Sequence, residues 1–326
     1  MKTSLARLAV SLLLSLSPVT ALAVTQDYSV DPAIRADEVP SQVEEIVVVA
    51  RRAGLPIWTV RRGDEGVLIL AGMIREVPKD FEWRTQALED AVSRSDRVLF
   101  PQEGRASPAD ILRVIWRSRT IAFLPDNTRA ADYLSPEDMA RLTTLMAGDR
   151  NDNWQRTSFL MTAIELIKDQ GGEKDSRSPR IERAVERAAR RAGVKTHHIG
   201  VVRGNELVET LISAPPQTHI PCLDAAMSVA EYGPTAVADR ATAWSRLDVK
   251  GVLASPVDLA MDVCWPWGDP EVRPRARAEW VNAISTAIAD EGVTLAIAPV
   301  RTLGEDGGVL DMLVAAGFEI DGPDWK

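Results

Sequence analysis

Residues 67–71 read Val-Leu-Ile-Leu-Ala, an unbroken apolar run held between Gly66 and Gly72. Successive side chains of a strand point to opposite faces, so such a run requires cover on both sides of a sheet. A second run of this kind, Thr294-Leu295-Ala296-Ile297-Ala298-Pro299-Val300, lies near the other end of the chain. Strands buried on both faces, alternating with segments of helical spacing, predict an α/β fold: a central mixed sheet flanked by helices. Ile57-Trp58-Thr59-Val60 and the polar turn Arg62-Gly63-Asp64-Glu65-Gly66 predict a strand and tight turn leading into the first run. Its far end, Gly72-Met73-Ile74-Arg75, is where an α/β sheet ordinarily places its site.

The remaining elements are read from periodicity and caps. Ala87, Leu88, Ala91 and Val92 recur at helical spacing within 84–95, and 97–100 is a buried-strand candidate. Ser107-Pro108 opens a helix whose apolar stripe is Ile111, Leu112, Ile115 and Trp116; residues 121–124 then read as a short strand or extended link. Ser135-Pro136 opens another helix, with Asp138 in capping-box position and the stripe Met139, Leu142, Leu145 and Met146. These methionines suit irregular packing better than metal ligation. Helices over 154–170, from Ser178-Pro179 to Gly193, and over 223–231, 235–247 and 275–291 follow, with a strand over 195–202 between the second and third.

Residues 1–23 have the form of a targeting segment: Lys2 and Arg7, a short apolar core over 8–16, and Ala21-Leu22-Ala23 as a cleavage site. The core is shorter than the ~20 residues a membrane anchor needs, and no later stretch is apolar enough to span. The expectation is export to a periplasmic or extracellular compartment, with no transmembrane span after cleavage. Residues 24–52 read as an N-terminal linker, in which Ile46-Val47-Val48-Val49 is an added edge strand or a partner-binding segment. A formal net charge of -9 without clustered basic residues argues against nucleic acid as a partner. Cys222 and Cys264 are the only cysteines. An even count in an exported chain favours a disulfide, whose loop of this length is worth about 3–4 kcal/mol. A catalytic thiol or a metal thiolate, the alternatives, would want a local base or a CxxC spacing, and the sequence offers neither.

The two ends of the chain carry a resemblance. Hydrophobic-Trp-x-Val, a polar turn, a buried strand, Gly72-Met73-Ile74-Arg75, a proline and Trp83-Arg84 match in order the opening of the TraB/PrgY/GumN family, which includes the Tiki-type proteases. Residues 294–301, the turn Gly304-Glu305-Asp306-Gly307, the leucine-rich 309–313 and Ala316-Gly317-Phe318 resemble its closing pattern. The resemblance spans 53–322, and implies a helical region inserted between about 134 and 291 in the 53–326 domain. It also implies a Gly-x-x-His at each strand end, with the two imidazoles binding a divalent cation for hydrolysis. Here those positions are Arg75 and Arg301, and the second glycine is Ala298. Family acidic residues align with Pro101, near Gln102 and Glu103, and with a place near Gly200. Cys222-Leu223 agrees with a Cys-Leu of relatives, and Trp244 and Asp248 resemble the Trp-x-x-Gly-Asp step with Leu247 for glycine.

A guanidinium has no lone pair to give a metal and stays charged at physiological pH. Two arginines therefore turn a cation site into an anion site or, with carboxylates beside them, into an internal salt bridge; Glu76, Glu103, Glu305 and Asp306 are the carboxylates at hand. The pocket candidates are Gly72, Arg75, Glu103, Arg301, Gly304, Glu305 and Asp306, with no metal ligand and no cofactor expected. His197 and His198 point to opposite sides of a strand and cannot share an ion, which leaves only His219 to join either. No Gly-x-Ser-x-Gly elbow, Walker loop or dinucleotide fingerprint occurs. Two readings result. One is an exported, catalytically degenerate protein that binds a small anion, a peptide or a partner protein. The alternative is a hydrolase with a rearranged acidic or histidine set, for which a divalent metal would be the cofactor.

Overall fold

The computed structural model describes residues 41–326 apart from 64, 149–151, 267 and 270–271. The leader over 1–23 and residues 24–40 of the expected linker lie outside the described residues. The strands are β1 (Ile57–Arg61), β2 (Val67–Met73), β3 (Val77–Pro78), β4 (Arg97–Phe100), β5 (Glu103–Arg105), β6 (Ser176–Arg177), β7 (Lys195–His198), β8 (Val201–Arg203), β9 (Val293–Pro299) and β10 (Glu319–Asp321).

Six of them form one mixed sheet in the order β10-β1-β2-β9-β4-β7. β1 runs antiparallel to β2 and β10, while β2, β9, β4 and β7 are parallel. Leu68, Ile69, Leu70 and Ala71 are all buried, as are Leu295 through Ala298. Because neighbours along a strand face opposite ways, helices must cover both faces of this centre. The α/β expectation is met, and Trp58, Trp244 and Trp280 are among the largest fully buried side chains of the core.

A second core lies in the helical region. Leu124, Trp154, Phe159, Leu166, Leu223, Met227 and Val257 pack together there, away from the sheet. The region is threaded through the fold rather than inserted as one block: helix Ile181–Ala192 and the segment holding Trp244, Val249 and Val252 return to the sheet core. Cys222 and Cys264 are joined, with Cα atoms 4.7 Å apart, tying helix Ile220–Tyr232 to the end of helix Pro256–Val263. Among the described residues no helix is long and apolar enough to cross a membrane.

Four local expectations are corrected. The Ile46–Val49 run is no strand; it lies in helix Gln42–Arg51, started by a reciprocal capping box between Ser41 and Glu44. Ile46, Val47 and Ala50 are buried while Val48 is 50% exposed, so a helical period sorts the β-branched run onto one covered face. The stripe of helix Pro108–Trp116 is there but uncovered: Ile111, Leu112, Ile115 and Trp116 are all exposed. Of the expected extended link over 121–124, Ile121 and Ala122 instead end helix Ser118–Ala122, while Phe123 is extended and bridges Thr157. The strand expected over 195–202 breaks at Gly200, where a Cβ would collide with the Glu279 carboxylate; β7 stays in the main sheet and β8 pairs with β5.

Candidate functional site

β2 and β9 are parallel neighbours, with Gly72 opposite Ala298 and Met73 opposite Pro299. Arg75 and Arg301 each follow two residues beyond that last pair, so the sheet brings both to one edge. The edge is tightly built. A Cβ at Gly72 would sit 2.9 Å from both the Trp58 ring and Val300 Cγ2, so glycine is needed there for close packing. The Gly72 carbonyl accepts a hydrogen bond of 2.9 Å from Trp244 Nε1, which fastens helix Ala236–Ser245 over the strand end.

Arg301 is taken up by partners within the protein. Its Nε donates to Asp258 Oδ2 at 2.6 Å, and its Nη2 donates to the Leu253 carbonyl. The other Asp258 oxygen lies 3.6 Å from Arg240 Nη1, an ion pair somewhat long for a hydrogen bond. Arg240 is buried to 1% exposure, donates Nη2 to the Glu76 carbonyl at 3.0 Å and meets Met261 sulfur at 3.2 Å. One carboxylate thus stands between two guanidiniums, one to each oxygen. Asp258 sits in the first turn of helix Pro256–Val263, where the positive end of the helix also favours a carboxylate. Burial acts against charge at both ends of this cluster. It pushes the Asp258 carboxyl above the usual aspartate range, opposed by Arg240 and Arg301. It pushes Arg240 below the usual arginine range, opposed by Asp258, Glu76 and Glu173.

Arg75 differs from its counterpart. The residue is exposed, while burial of its charged group, the largest influence, lowers its pKa. The charges acting on it are Glu182, Arg240, Glu76 and Asp258, in that order. Glu76 is held by Ser176 Oγ at 2.8 Å.

The other candidates scatter. Glu305 is taken by Arg277 at 2.5 Å, and burial pushes its carboxyl up. Asp306 is exposed in the turn that contains Gly307 at φ 65°. Gly304 is buried against Leu253, Val249 and Trp325, each 3.3 Å from where a Cβ would stand. Glu103 belongs to the separate β5–β8 ladder and pairs with Arg105 at 2.8 Å. His197 and His198 lie exposed on β7, with His198 Nδ1 2.8 Å from the Pro101 carbonyl oxygen.

Sequence reasoning missed Arg240 and Asp258. Both left a trace. Val237, Arg240, Ala241 and Trp244 form the i, i+3, i+4, i+7 buried stripe of one helix, so an arginine occupies a core position. Ser255-Pro256 marks a helix start that puts Asp258 in the first turn.

The donor set does not suit the divalent metal that the resemblance implies. Both motif positions are cations, and the two oxygens of the nearby Asp258 carboxylate face Arg301 and Arg240. Among the described residues no group of three or more His, Cys, Asp or Glu side chains could hold a metal ion. Neither a curated protein nor a solved structure matches the chain. A family model does match it, over residues 56–321, nearly its whole length. The paired strand ends, the Trp244 clasp and the closing turn lie within that match, and the chain belongs to the TraB/PrgY/gumN family.

Proposed function

We propose that this chain is an exported, non-hydrolytic member of its family. In this reading its former ligand edge is a closed ionic cluster, and an anionic group of a small molecule, peptide or partner protein is recognised at the rim, by Arg75. The observation that carries the reading is the Asp258 carboxylate held between Arg301 at 2.6 Å and Arg240 at 3.6 Å. A carboxylate held between two guanidiniums is a poor metal ligand, because an approaching cation meets two resident positive charges. Arg75 is exposed, and a guanidinium can fork onto a carboxylate or phosphate. Export is supported by the leader pattern of residues 1–23 and by the Cys222–Cys264 bridge, since such bridges persist in oxidising compartments.

The test uses the purified mature chain. Elemental analysis after incubation with zinc, manganese or cobalt, together with a peptide-hydrolysis assay, is expected to show neither bound metal nor turnover. Stoichiometric metal with turnover that survives repurification would overturn the reading in favour of a rearranged hydrolase. Recognition at the rim is read by titrating inorganic phosphate and citrate calorimetrically. Heat that disappears in Arg75→Gln supports it, and no heat in the wild type rejects it.

A further inference from the structure

Helix Pro108–Trp116 is exposed on nearly every side. Ile111 is 55% exposed, Leu112 67%, Ile115 63% and Trp116 86%, and Phe123 just beyond it is also exposed. Every residue from 111 to 120 is exposed, whereas Asp110 is buried in the cap with Ser107. The helix rises from β5 and touches helix Gly204–Ser213, which rises from β8, so the pair is carried on its own small ladder. Large apolar side chains gathered on a solvent face mark a binding surface rather than ordinary scatter.

The charge around them selects the partner. The chain carries a net -9, yet 104–123 holds four arginines and a single acid, Asp110. Arg113 and Arg117 flank the apolar arc; Arg113 reaches Glu209 at 3.2 Å, and Arg117 is exposed without an ion pair among the described residues. Arg119 follows, 77% exposed and paired at 2.9 Å with Asp126. A tryptophan and branched aliphatics on one arc, edged by arginines, is the composition of a helix lying in a membrane interface. A second copy of this chain fits less well, because a two-fold contact sets one arginine-edged patch against an identical one.

We infer that helix Pro108–Trp116 is a membrane-surface anchor. It lays Ile111, Leu112, Ile115 and Trp116 into the interface of an anionic bilayer while Arg113 and Arg117 meet the lipid phosphates. The inference does not rest on the arginine cluster at the sheet edge. Its test is flotation of the mature chain with vesicles of phosphatidylcholine alone and of phosphatidylcholine mixed with phosphatidylglycerol. Binding is expected only to the anionic vesicles, weakened by added salt. Arg117→Ala should lower it about fivefold, and the exposed pair Leu112→Ser and Trp116→Ser about tenfold or more, each with an unchanged melting temperature. Absence of binding to anionic vesicles, or binding that the Leu112→Ser and Trp116→Ser variant retains, would overturn it. So would a concentration-dependent dimer in light scattering that the same variant dissolves, which would make the patch a contact between copies.

Discussion

Asp258→Asn is the sharpest probe of the site. The change keeps shape and an acceptor oxygen but removes the only charge between two guanidiniums, one 1% and the other 15% exposed. Removing one partner of a buried ion pair costs about 3–5 kcal/mol, because the charge left behind has lost both water and counter-ion. At roughly 2–4 °C per kcal/mol for a large domain, the melting temperature should fall by roughly 6–20 °C. Urea denaturation of the disulfide-intact mature chain at neutral pH gives the free energy directly, provided the slope is unchanged. Arg301→Met should be milder, since Arg240 still balances the aspartate. In the double variant the loss should be smaller than the sum of the two, with a coupling of about 1–3 kcal/mol. If Asp258→Asn lies within about 1 kcal/mol of the wild type, or if the two changes add, the carboxylate is not the keystone described here.

Other consequences are simpler to state. Gly72→Ala forces a methyl into Trp58 and Val300, each 2.9 Å away, and should destabilise by about 1–3 kcal/mol in the same denaturation assay. Cys222→Ser with Cys264→Ser opens a loop spanning 42 residues and should lose about 4 kcal/mol, with helical signal in circular dichroism falling first. Deleting residues 24–52 removes a helix that buries Ile46, Val47 and Ala50; if 42–51 were merely linker, the melting temperature would not move. His219 is pushed below its ordinary value by burial. The unfolded chain therefore binds the extra proton first. Stability from this group is present above the ordinary value near 6.5 and is lost as pH falls through the folded value, a slope that His219→Gln should remove from denaturation midpoints.

How much of this was legible in the sequence depends on whether a signal is local. β2 and β9 were readable because an unbroken apolar run admits few environments, and the helices opened by Ser107-Pro108 and Ser135-Pro136 announce their own caps. Ile46-Val47-Val48-Val49 misled because β-branched composition and a capping box gave opposite advice, and tertiary packing sided with the cap. The Ile111–Trp116 stripe was found as a helix but not as an exposed one, since periodicity identifies a face without saying what covers it. Asp258 was out of reach for another reason: it meets Arg301 across 43 positions of sequence, and only the fold of the helical region brings it there.

That last contact also says why two arginines can stand where the family resemblance implies histidines. A buried guanidinium survives only with a counter-charge and filled donors, and Arg301 has both in Asp258 and the Leu253 carbonyl. Arg301 is therefore embedded in its surroundings rather than isolated. Changing Arg75 and Arg301 to histidine would leave Asp258 facing Arg240, whose guanidinium is buried beside it. A cation brought to such a pair would still meet the positive Arg240. The expected outcome of Arg75→His with Arg301→His is thus a folded, less stable protein that does not acquire zinc. Only when Arg240 is also replaced by a neutral residue such as Met does the edge lose its resident cation. Zinc taken up stoichiometrically by the two-histidine variant, measured by elemental analysis after gel filtration, would refute this account of the edge.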